Sequence, residues 1–204
     1  MASIKNVGGF ILAGGASSRM GRDKAVIELD GEPLVVRAAR LLQPIVGPPT
    51  IIGPAERFAP FGLHVIADDQ PGFGPLGGIA TALRAATHPW NLIIGCDLPF
   101  LTQGWLESLI RQALGSQADV VLPLSAQGAE PLCAMYHKKA ESQISAALAQ
   151  GIRKITQGLA GLAIVNLAPE EWKPFDSMGL LFKNINTPDD YNELLAVFEK
   201  KKEA

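Results

Sequence analysis

The segment from residue 9 to residue 30, GFILAGGASSRMGRDKAVIELD, constrains the fold of this chain more than any other. A short apolar run at residues 10–12 stops at small residues that include Gly14 and Gly15. An apolar run that stops at glycines is typical of a buried strand that leads into a tight loop. The segment therefore predicts a strand with a glycine-rich loop at its carboxyl end.

This first glycine-rich loop is also basic, because Arg19, Arg22 and Lys24 outnumber the single acid Asp23. Glycines allow a backbone to approach a ligand closely, and consecutive free amides form a concavity that binds anions. Amides together with cations suit a polyphosphate, although an ordinary turn with solvated charges is the alternative. The loop is not a P-loop, since Lys24 is followed by Ala25 rather than by Ser or Thr.

Charge and composition exclude several classes of protein. The net charge of −2 creates no global field for nucleic acid or for an anionic membrane. No apolar run reaches the roughly 18 residues of a membrane span, and the first residues lack the apolar core of a signal peptide. Cys96 and Cys133 lie in apolar runs without metal-site spacing, which indicates buried thiols in a reducing compartment. We therefore expect a cytoplasmic protein without zinc.

Short apolar strands alternate with amphipathic helices along the chain. The pattern predicts strands at residues 50–52, 63–67, 91–95, 119–122, 130–136 and 162–167, and helices at residues 34–42, 79–86, 105–114, 139–149, 152–159 and from Thr187 onward. Pro44, Gly47, Pro48 and Pro49 should end the first helix, and residues 71–78 should form a second glycine-rich loop. Strand–helix alternation with short connections predicts a three-layer α/β/α sandwich with a mostly parallel, Rossmann-like sheet. Without a linker, residues 1–204 should form one domain.

Carboxylates follow two of the predicted strands. Asp68 and Asp69 follow the third strand, and Asp97 follows the fourth. Ligands of open α/β sheets bind outside the carboxyl ends of the strands, and a carboxylate beside a polyphosphate commonly holds Mg²⁺. Asp97 is therefore a candidate metal ligand, with a turn or helix-cap residue as its alternative. Asp68 could contact a nucleotide or stabilise a turn.

A dinucleotide-binding site is a competing interpretation. Residues 72–77 match G-x-G-x-x-G, and Asp97 lies twenty residues after Gly77, as in a Rossmann-type dehydrogenase. Residues 68–71 separate these glycines from their strand, however, whereas the fingerprint should follow the strand directly. That interpretation also leaves the basic first loop without a role.

The first loop reads L-A-G-G-x-S-x-R-M-G-x-D-K, and it resembles the signature of nucleotidyltransferases that use a nucleoside triphosphate. The resemblance is strongest to the molybdenum cofactor guanylyltransferases, because L-A-G-G resembles the guanylyl branch and L-A-A-G the cytidylyl branch. Four further segments are similar to family motifs in the same order: GPLGG at 74–78, CDLP at 96–99, EPLCAMY at 130–136 and NINTP at 184–188. One departure is Gly53-Pro54, where the family often has an asparagine that contacts the nucleotide.

The resemblance implies that GMP is transferred from GTP to molybdopterin, or to its molybdenum form, with release of pyrophosphate. It implies catalytic roles for Arg19, Lys24 and Asp97. The resemblance also implies that Leu12, Ala13 and Gly14 contact the base and that Gly15, Arg19 and Lys24 contact the triphosphate. Asp68, Gly74 and Gly78 are implied positions on the nucleotide side. Asp97 would hold Mg²⁺, and the acceptor would lie near Asn184 and Asn186. GTP, molybdopterin and other molybdenum cofactor proteins are the implied partners. The alternatives are transfer of CMP, transfer of a nucleotide to a sugar phosphate, and a nucleotide-binding or NAD-binding protein without turnover.

Overall fold

The structure is a computed structural model that describes residues 6–14 and 24–202. Within these residues the strands are β1 (Val7–Leu12), β2 (Glu28–Leu29), β3 (Glu32–Pro33), β4 (Thr50–Ile52), β5 (His64–Ile66), β6 (Trp90–Gly95), β7 (Val120–Ser125), β8 (Gly128–Ala129), β9 (Cys133–His137) and β10 (Ile164–Leu167). The α-helices there are α1 (Leu34–Val46), α2 (Ala55–Phe58), α3 (Gly74–Ala85), α4 (Gln103–Leu114), α5 (Glu141–Ala149), α6 (Ile155–Gly158), α7 (Pro169–Trp172) and α8 (Pro188–Lys202).

The central sheet has the strand order β10-β7-β9-β6-β1-β4-β5, and β8 pairs with β7. β1 lies between β6 and β4 and is parallel to both, with Ile11 opposite Ile94 on one side and Ile51 on the other. β9 is antiparallel to β6 and β7, so the sheet is mainly parallel. The carboxyl ends of β1, β4, β5 and β6 therefore meet at one edge of the sheet, which we call the carboxyl edge.

Helices cover both faces of the sheet, which confirms the predicted three-layer α/β/α architecture. On one face, buried side chains of α1 and α4, such as Leu42 and Trp105, form one core together with the sheet residue Ile11. On the other face, α3 and α5 contribute Ile79 and Ile144 to a second core against the sheet. Residues on the two faces alternate along the strands, as the pleat of a strand requires.

A third, smaller core connects the segment around β2 and β3 with the segment around the start of α8. It contains Leu29 from the β2–β3 hairpin, Leu34 at the start of α1, Ile185 before α8 and Leu194 within α8, and each of these residues is almost completely buried. This core fixes residues 184–188 beside the segment that follows the first glycine-rich loop.

Helix α1 extends beyond the predicted bound at residue 42 and past Pro44, the first of the residues predicted to end it. The helix continues to Val46 and ends at Gly47, which has a positive φ of 82° and donates its N–H to the Gln43 carbonyl. A proline in the last turn removes only one helical hydrogen bond, and the buried Ile45 holds that turn against the core.

The second glycine-rich segment is mostly helical, which also differs from the prediction. α3 begins at Gly74, and Pro75 lies in its first turn, where a missing N–H costs nothing. A Cβ atom at Gly77 would lie 2.8 Å from the Gln70 carbonyl oxygen, so only glycine allows this close approach of helix and loop. Residues 67–73 separate β5 from α3, and G-x-G-x-x-G therefore does not connect strand and helix directly.

Other boundaries moved by a few residues, and several short elements were not predicted. β9 begins at Cys133 rather than at Glu130, because residues 130–133 form a turn closed by the Cys133 N–H and the Glu130 carbonyl. The β2–β3 hairpin, α2, β8 and α7 carry too few residues for a periodic signal. Among the described residues, no helix combines the length and the apolar character needed to cross a bilayer.

Candidate active site

Backbone hydrogen bonds beyond the regular ladders hold the strand ends of the carboxyl edge together. The Ala13 N–H donates to the Ile52 carbonyl at 3.0 Å, and the Cys96 N–H donates to the Leu12 carbonyl at 3.2 Å. The Gly53 N–H donates to the Ile66 carbonyl at 3.0 Å. The ends of four strands therefore form one rigid platform, on which Ala13 and Gly14 introduce the first glycine-rich loop.

Lys24 and Asp97 meet at this platform. The Lys24 Nζ lies 3.1 Å from Asp97 Oδ2, 2.6 Å from Asn186 Oδ1 and 2.9 Å from the Ile185 carbonyl oxygen. The exposed fractions of the Lys24 and Asp97 side chains are 22% and 19%, so the pair is partly shielded but still reachable from solvent. We call these four residues the cation cluster.

The segment before α8 is anchored from both sides. The Ile185 N–H donates to the Asp97 backbone carbonyl at 3.1 Å. Asp190 Oδ2 accepts the backbone N–H groups of Asn186 and Thr187, and the Thr187 hydroxyl accepts the N–H of Asp190. The Asn186 N–H is the main cause that lowers the pKa of the Asp190 carboxyl. The predicted N-cap at Thr187 is thus confirmed, and it orients Asn186 toward Lys24.

Asp97 approaches the end of β6 so closely that no side chain fits at Gly95. A Cβ atom on Gly95 would lie 2.6 Å from Asp97 Oδ1 and 3.6 Å from the Leu132 Cβ atom. The carboxylate therefore folds back over the last residue of its own strand. The absence of a side chain at Gly95 is what allows this conformation.

Asp68 and Asp69 belong to a separate network that joins the loop before α3 to the second half of that helix. The Thr81 hydroxyl lies 3.0 Å from Asp68 Oδ1 and 2.6 Å from Asp69 Oδ1, and the Gln70 N–H donates to Asp68 Oδ1. Arg84 forms an ion pair with Asp69. Asp68 thus stabilises the loop between β5 and α3, and it is not part of the cation cluster.

The first turns of α3 contain the other predicted nucleotide-side positions. Gly74 is exposed, with a φ of 65°, whereas Gly78 is buried and faces the side chain of Leu12. The guanidinium carbon of Arg153 lies 5.3 Å from the centre of the Phe73 ring, directly before this helix. Sequence reasoning missed Arg153, although Arg153-Lys154 after Gly151 is a basic pair in a loop.

Glu130 lies on the other side of β6, near the start of β9. The Leu132 carbonyl accepts the Gly95 N–H at 2.8 Å, which places the 130–133 turn beside the end of β6. The Ser125 hydroxyl donates to Glu130 Oε1 at 2.6 Å. Burial raises the pKa of the Glu130 carboxyl, and the hydrogen bond from Ser125 opposes that rise. Sequence reasoning noted the segment but not this side chain.

The remaining predicted site residues have different surroundings. Asn184 is exposed and makes no hydrogen bond to any described residue, whereas Asn186 binds Lys24. Gly15 and Arg19 lie outside the described residues. At Gly53, where the family often has an asparagine, a Cβ atom would lie 2.9 Å from Phe58 and 3.3 Å from the Ala13 carbonyl, so the close contact itself excludes a side chain.

A mainly parallel sheet with a paired lysine and aspartate at its carboxyl edge defines the class of nucleotide-binding α/β proteins. The family of MobA-like NTP transferase domains matches residues 9–163, which is most of the chain. The chain therefore belongs to this family and is a nucleotidyltransferase.

Named relatives agree with this assignment. The chain is 33% identical over 187 residues to the "probable molybdenum cofactor guanylyltransferase" of Chloroflexus aggregans, covering 89% of this chain and 90% of that protein. It is 33% identical over 189 residues to the molybdenum cofactor guanylyltransferase of Vibrio cholerae, covering 88% and 87%. The crystal structure of the molybdopterin-guanine dinucleotide biosynthesis protein A of Archaeoglobus fulgidus superposes with a TM-score of 0.83 at 29% identity, covering 94% and 98%.

Proposed function

We propose that this chain transfers GMP from GTP to molybdopterin, or to its molybdenum form, and releases pyrophosphate. The relatives named as guanylyltransferases match the chain over most of its length and theirs, which supports the guanine nucleotide and the molybdopterin acceptor. The observation that carries the proposal is the cation cluster, because it brings a lysine, a carboxylate and an amide together at the ligand-binding edge of the sheet.

In this proposal the nucleotide lies over β1, β4 and the start of α3. The backbone of Leu12, Ala13 and Gly14 holds the guanine base, and Lys24 binds the triphosphate together with Gly15 and Arg19. The backbone N–H groups in the first turn of α3, near Gly74, face the same edge and favour an anion. Gly78 and Asp68 act indirectly: Gly78 lies beside the Leu12 side chain, and Asp68 stabilises the loop before α3.

The chemistry requires no covalent intermediate on the protein. An oxygen of the acceptor's phosphate attacks the α-phosphorus of GTP, a new P–O–P bond forms, and the bond to the β-phosphate breaks so that pyrophosphate leaves with the electron pair. Positioning of the two phosphates and neutralisation of the developing charge therefore account for the catalysis. Lys24 supplies a positive charge for the triphosphate, and Arg19 is proposed to do the same.

The donor set of the cation cluster fits Mg²⁺. A carboxylate, an amide oxygen and a main-chain carbonyl converge on one point within 3.1 Å, and these are the hard oxygen ligands that Mg²⁺ prefers. Asp97 would hold the ion, and the bound ion would neutralise charge on the α- and β-phosphates. The protein's own contribution is to fix the Asp97 carboxylate through its contact over Gly95.

The acceptor approaches from the β9 side of β6, because the nucleotide takes the β1 side. Asn184 is exposed and available to the acceptor, while Asn186 binds Lys24. Arg153, stacked on Phe73, offers a further cation for an anion bound near the start of α3. We further propose one domain over residues 1–204. We also propose a cytoplasmic location, since Cys96 and Cys133 are both buried and neither forms a disulfide with a described residue. Other molybdenum cofactor proteins as partners remain a prediction.

The experiment is a single-turnover assay of nucleotide transfer to molybdopterin, with GTP, CTP and ATP compared across a range of Mg²⁺ concentrations. GTP should be the productive donor. Asp97→Asn should lower the rate by at least about a hundredfold, since losing one key electrostatic group costs roughly 3 kcal/mol of transition-state stabilisation. The residual rate should need more Mg²⁺, while calorimetry should still detect GTP binding through Lys24 and the loop amides.

The matched control is Asp119→Asn, which removes another ion-paired aspartate, located at the opposite edge of the sheet next to Lys139. Its transfer rate should equal that of the wild type. Transfer from CTP alone would contradict the guanylyl assignment. Normal turnover of Asp97→Asn with an unchanged metal requirement would make the carboxylate a turn residue only.

A further inference from the structure

The Lys24 ammonium occupies the point at which the oxygens of the cation cluster converge. It contacts a carboxylate oxygen, an amide oxygen and a main-chain carbonyl oxygen at distances between 2.6 and 3.1 Å. An ammonium group has three donors and no acceptor, so its preferred surroundings are oxygens alone. The same surroundings suit a divalent cation.

Lys24 cannot remain there while Asp97 holds a metal ion. Two cations that share one carboxylate oxygen within about 3 Å repel each other, and the interaction is strong where water is partly excluded. The phosphates of a bound nucleotide provide Lys24 with another partner. Lys24 lies at the start of a short 3-10 turn, and its long side chain is partly exposed. Rotation about the side-chain bonds can therefore carry the ammonium from Asp97 to a bound phosphate without movement of the sheet.

We propose that Lys24 occupies the metal position of the ligand-free protein and gives it up when nucleotide arrives, so that the metal binds with the nucleotide rather than before it. This inference rests on the proposed function and assigns Lys24 two successive partners. The exchange conserves charge: the nucleotide phosphates replace Asp97 beside the ammonium, and the metal ion replaces the ammonium beside Asp97. No proton is transferred in either direction.

The exchange has a consequence for the resting protein. With Lys24 in place, the Asp97 carboxylate is compensated, and Asn186 and Ile185 are held against it by the same ammonium. The segment before α8 thus stays docked in the absence of ligand. Lys24 thereby suppresses unproductive binding of free divalent cations, and the site becomes metal-competent only when the substrate is present.

The test measures Mn²⁺ binding to the nucleotide-free protein by electron paramagnetic resonance of the free ion. Wild-type protein should bind Mn²⁺ weakly. Lys24→Met, which keeps the length and removes the charge, should bind Mn²⁺ at least about tenfold more tightly, because a competing cation has gone from the same oxygens. Lys24→Gln provides a second neutral variant with a polar end, and it should behave in the same way.

Two controls locate the effect. Asp97→Asn in the Lys24→Met background should abolish the gain in Mn²⁺ affinity. The second control is Lys139→Met, which breaks a remote ion pair in which the Lys139 Nζ lies 2.9 Å from Asp119 Oδ1. This variant should leave Mn²⁺ affinity unchanged. Unchanged affinity in both neutral variants of Lys24 would overturn the proposal, and so would a gain that survives Asp97→Asn. Because this measurement needs neither GTP nor turnover, it can fail while guanylyl transfer is confirmed, and the reverse also holds.

Discussion

At the scale of single residues, Gly95 determines where the Asp97 carboxylate can lie. Gly95→Ala would introduce a methyl group 2.6 Å from Asp97 Oδ1, so the carboxylate must move. Displacement of a catalytic group by about 1 Å can cost on the order of a hundredfold in rate. We expect Gly95→Ala to lower the rate of GMP transfer by about tenfold to a hundredfold, measured in single-turnover assays.

The control for this prediction is Gly115→Ala at the end of α4. There the added methyl group would make an ordinary contact at 3.6 Å with the Arg111 carbonyl, and the backbone φ of −85° suits alanine. This variant should retain the wild-type rate. Equal rates for Gly95→Ala and the wild type would show that the close approach of Asp97 to β6 does not matter for catalysis.

At the scale of elements, the start of α8 depends on Asp190, whose carboxylate accepts the N–H groups of Asn186 and Thr187. Asp190→Ala should reduce the free energy of unfolding by about 1–2 kcal/mol at neutral pH. The Asn186 N–H holds the pKa of Asp190 below its ordinary value, so this stability is present above the unfolded value of about 3.9 and is lost as pH falls through the lower folded value. The difference between wild type and variant should therefore shrink in acid.

Urea unfolding at a series of pH values from 7 downward measures this difference. Asp189→Ala is the matched control, because Asp189 is an exposed acid in the same turn whose side chain makes no hydrogen bond with a described residue. It should cost only about 0.5 kcal/mol, through the helix dipole. A loss for Asp190→Ala that does not depend on pH, or an equal loss for both variants, would contradict the role of this cap.

At the scale of the whole molecule, one sheet carries both large cores. β1 contributes Ile11 to one core and Phe10 to the other. Because both cores share this strand, unfolding of the sheet would expose the buried side chains of both cores at once. We expect a single cooperative transition in differential scanning calorimetry, as for one domain. GTP with Mg²⁺ should shift the whole transition upward, since ligand at a hundredfold excess over Kd adds about 2.7 kcal/mol. Two transitions, of which GTP shifts one, would contradict the assignment of one domain.

Local signals in the sequence were sufficient for the layers of the fold and for the position of the main carboxylate. Strand and helix periodicity depends on neighbours in sequence, and Asp97 follows an apolar strand whose end such a sheet presents to ligands. Thr187-Pro188 likewise predicts its helix start from local chemistry. The local signals of proline and glycine were misleading at two positions, where packing decided the outcome. Helix α1 continues past Pro44, and helix α3 begins at Gly74.

The sequence by itself thus determined the elements, their order and the chemical character of the candidate site. Only the tertiary structure decided which of these groups bind one another: Lys24 meets Asp97 across 73 positions of sequence and Asn186 across 162. The physical reason is that such partners depend on the third core, in which Leu29 and Ile185 bring two segments together that are far apart in sequence. Spacing along a chain contains no information about that distance, and the role of Lys24 as the resting partner of Asp97 therefore became visible only in the folded molecule.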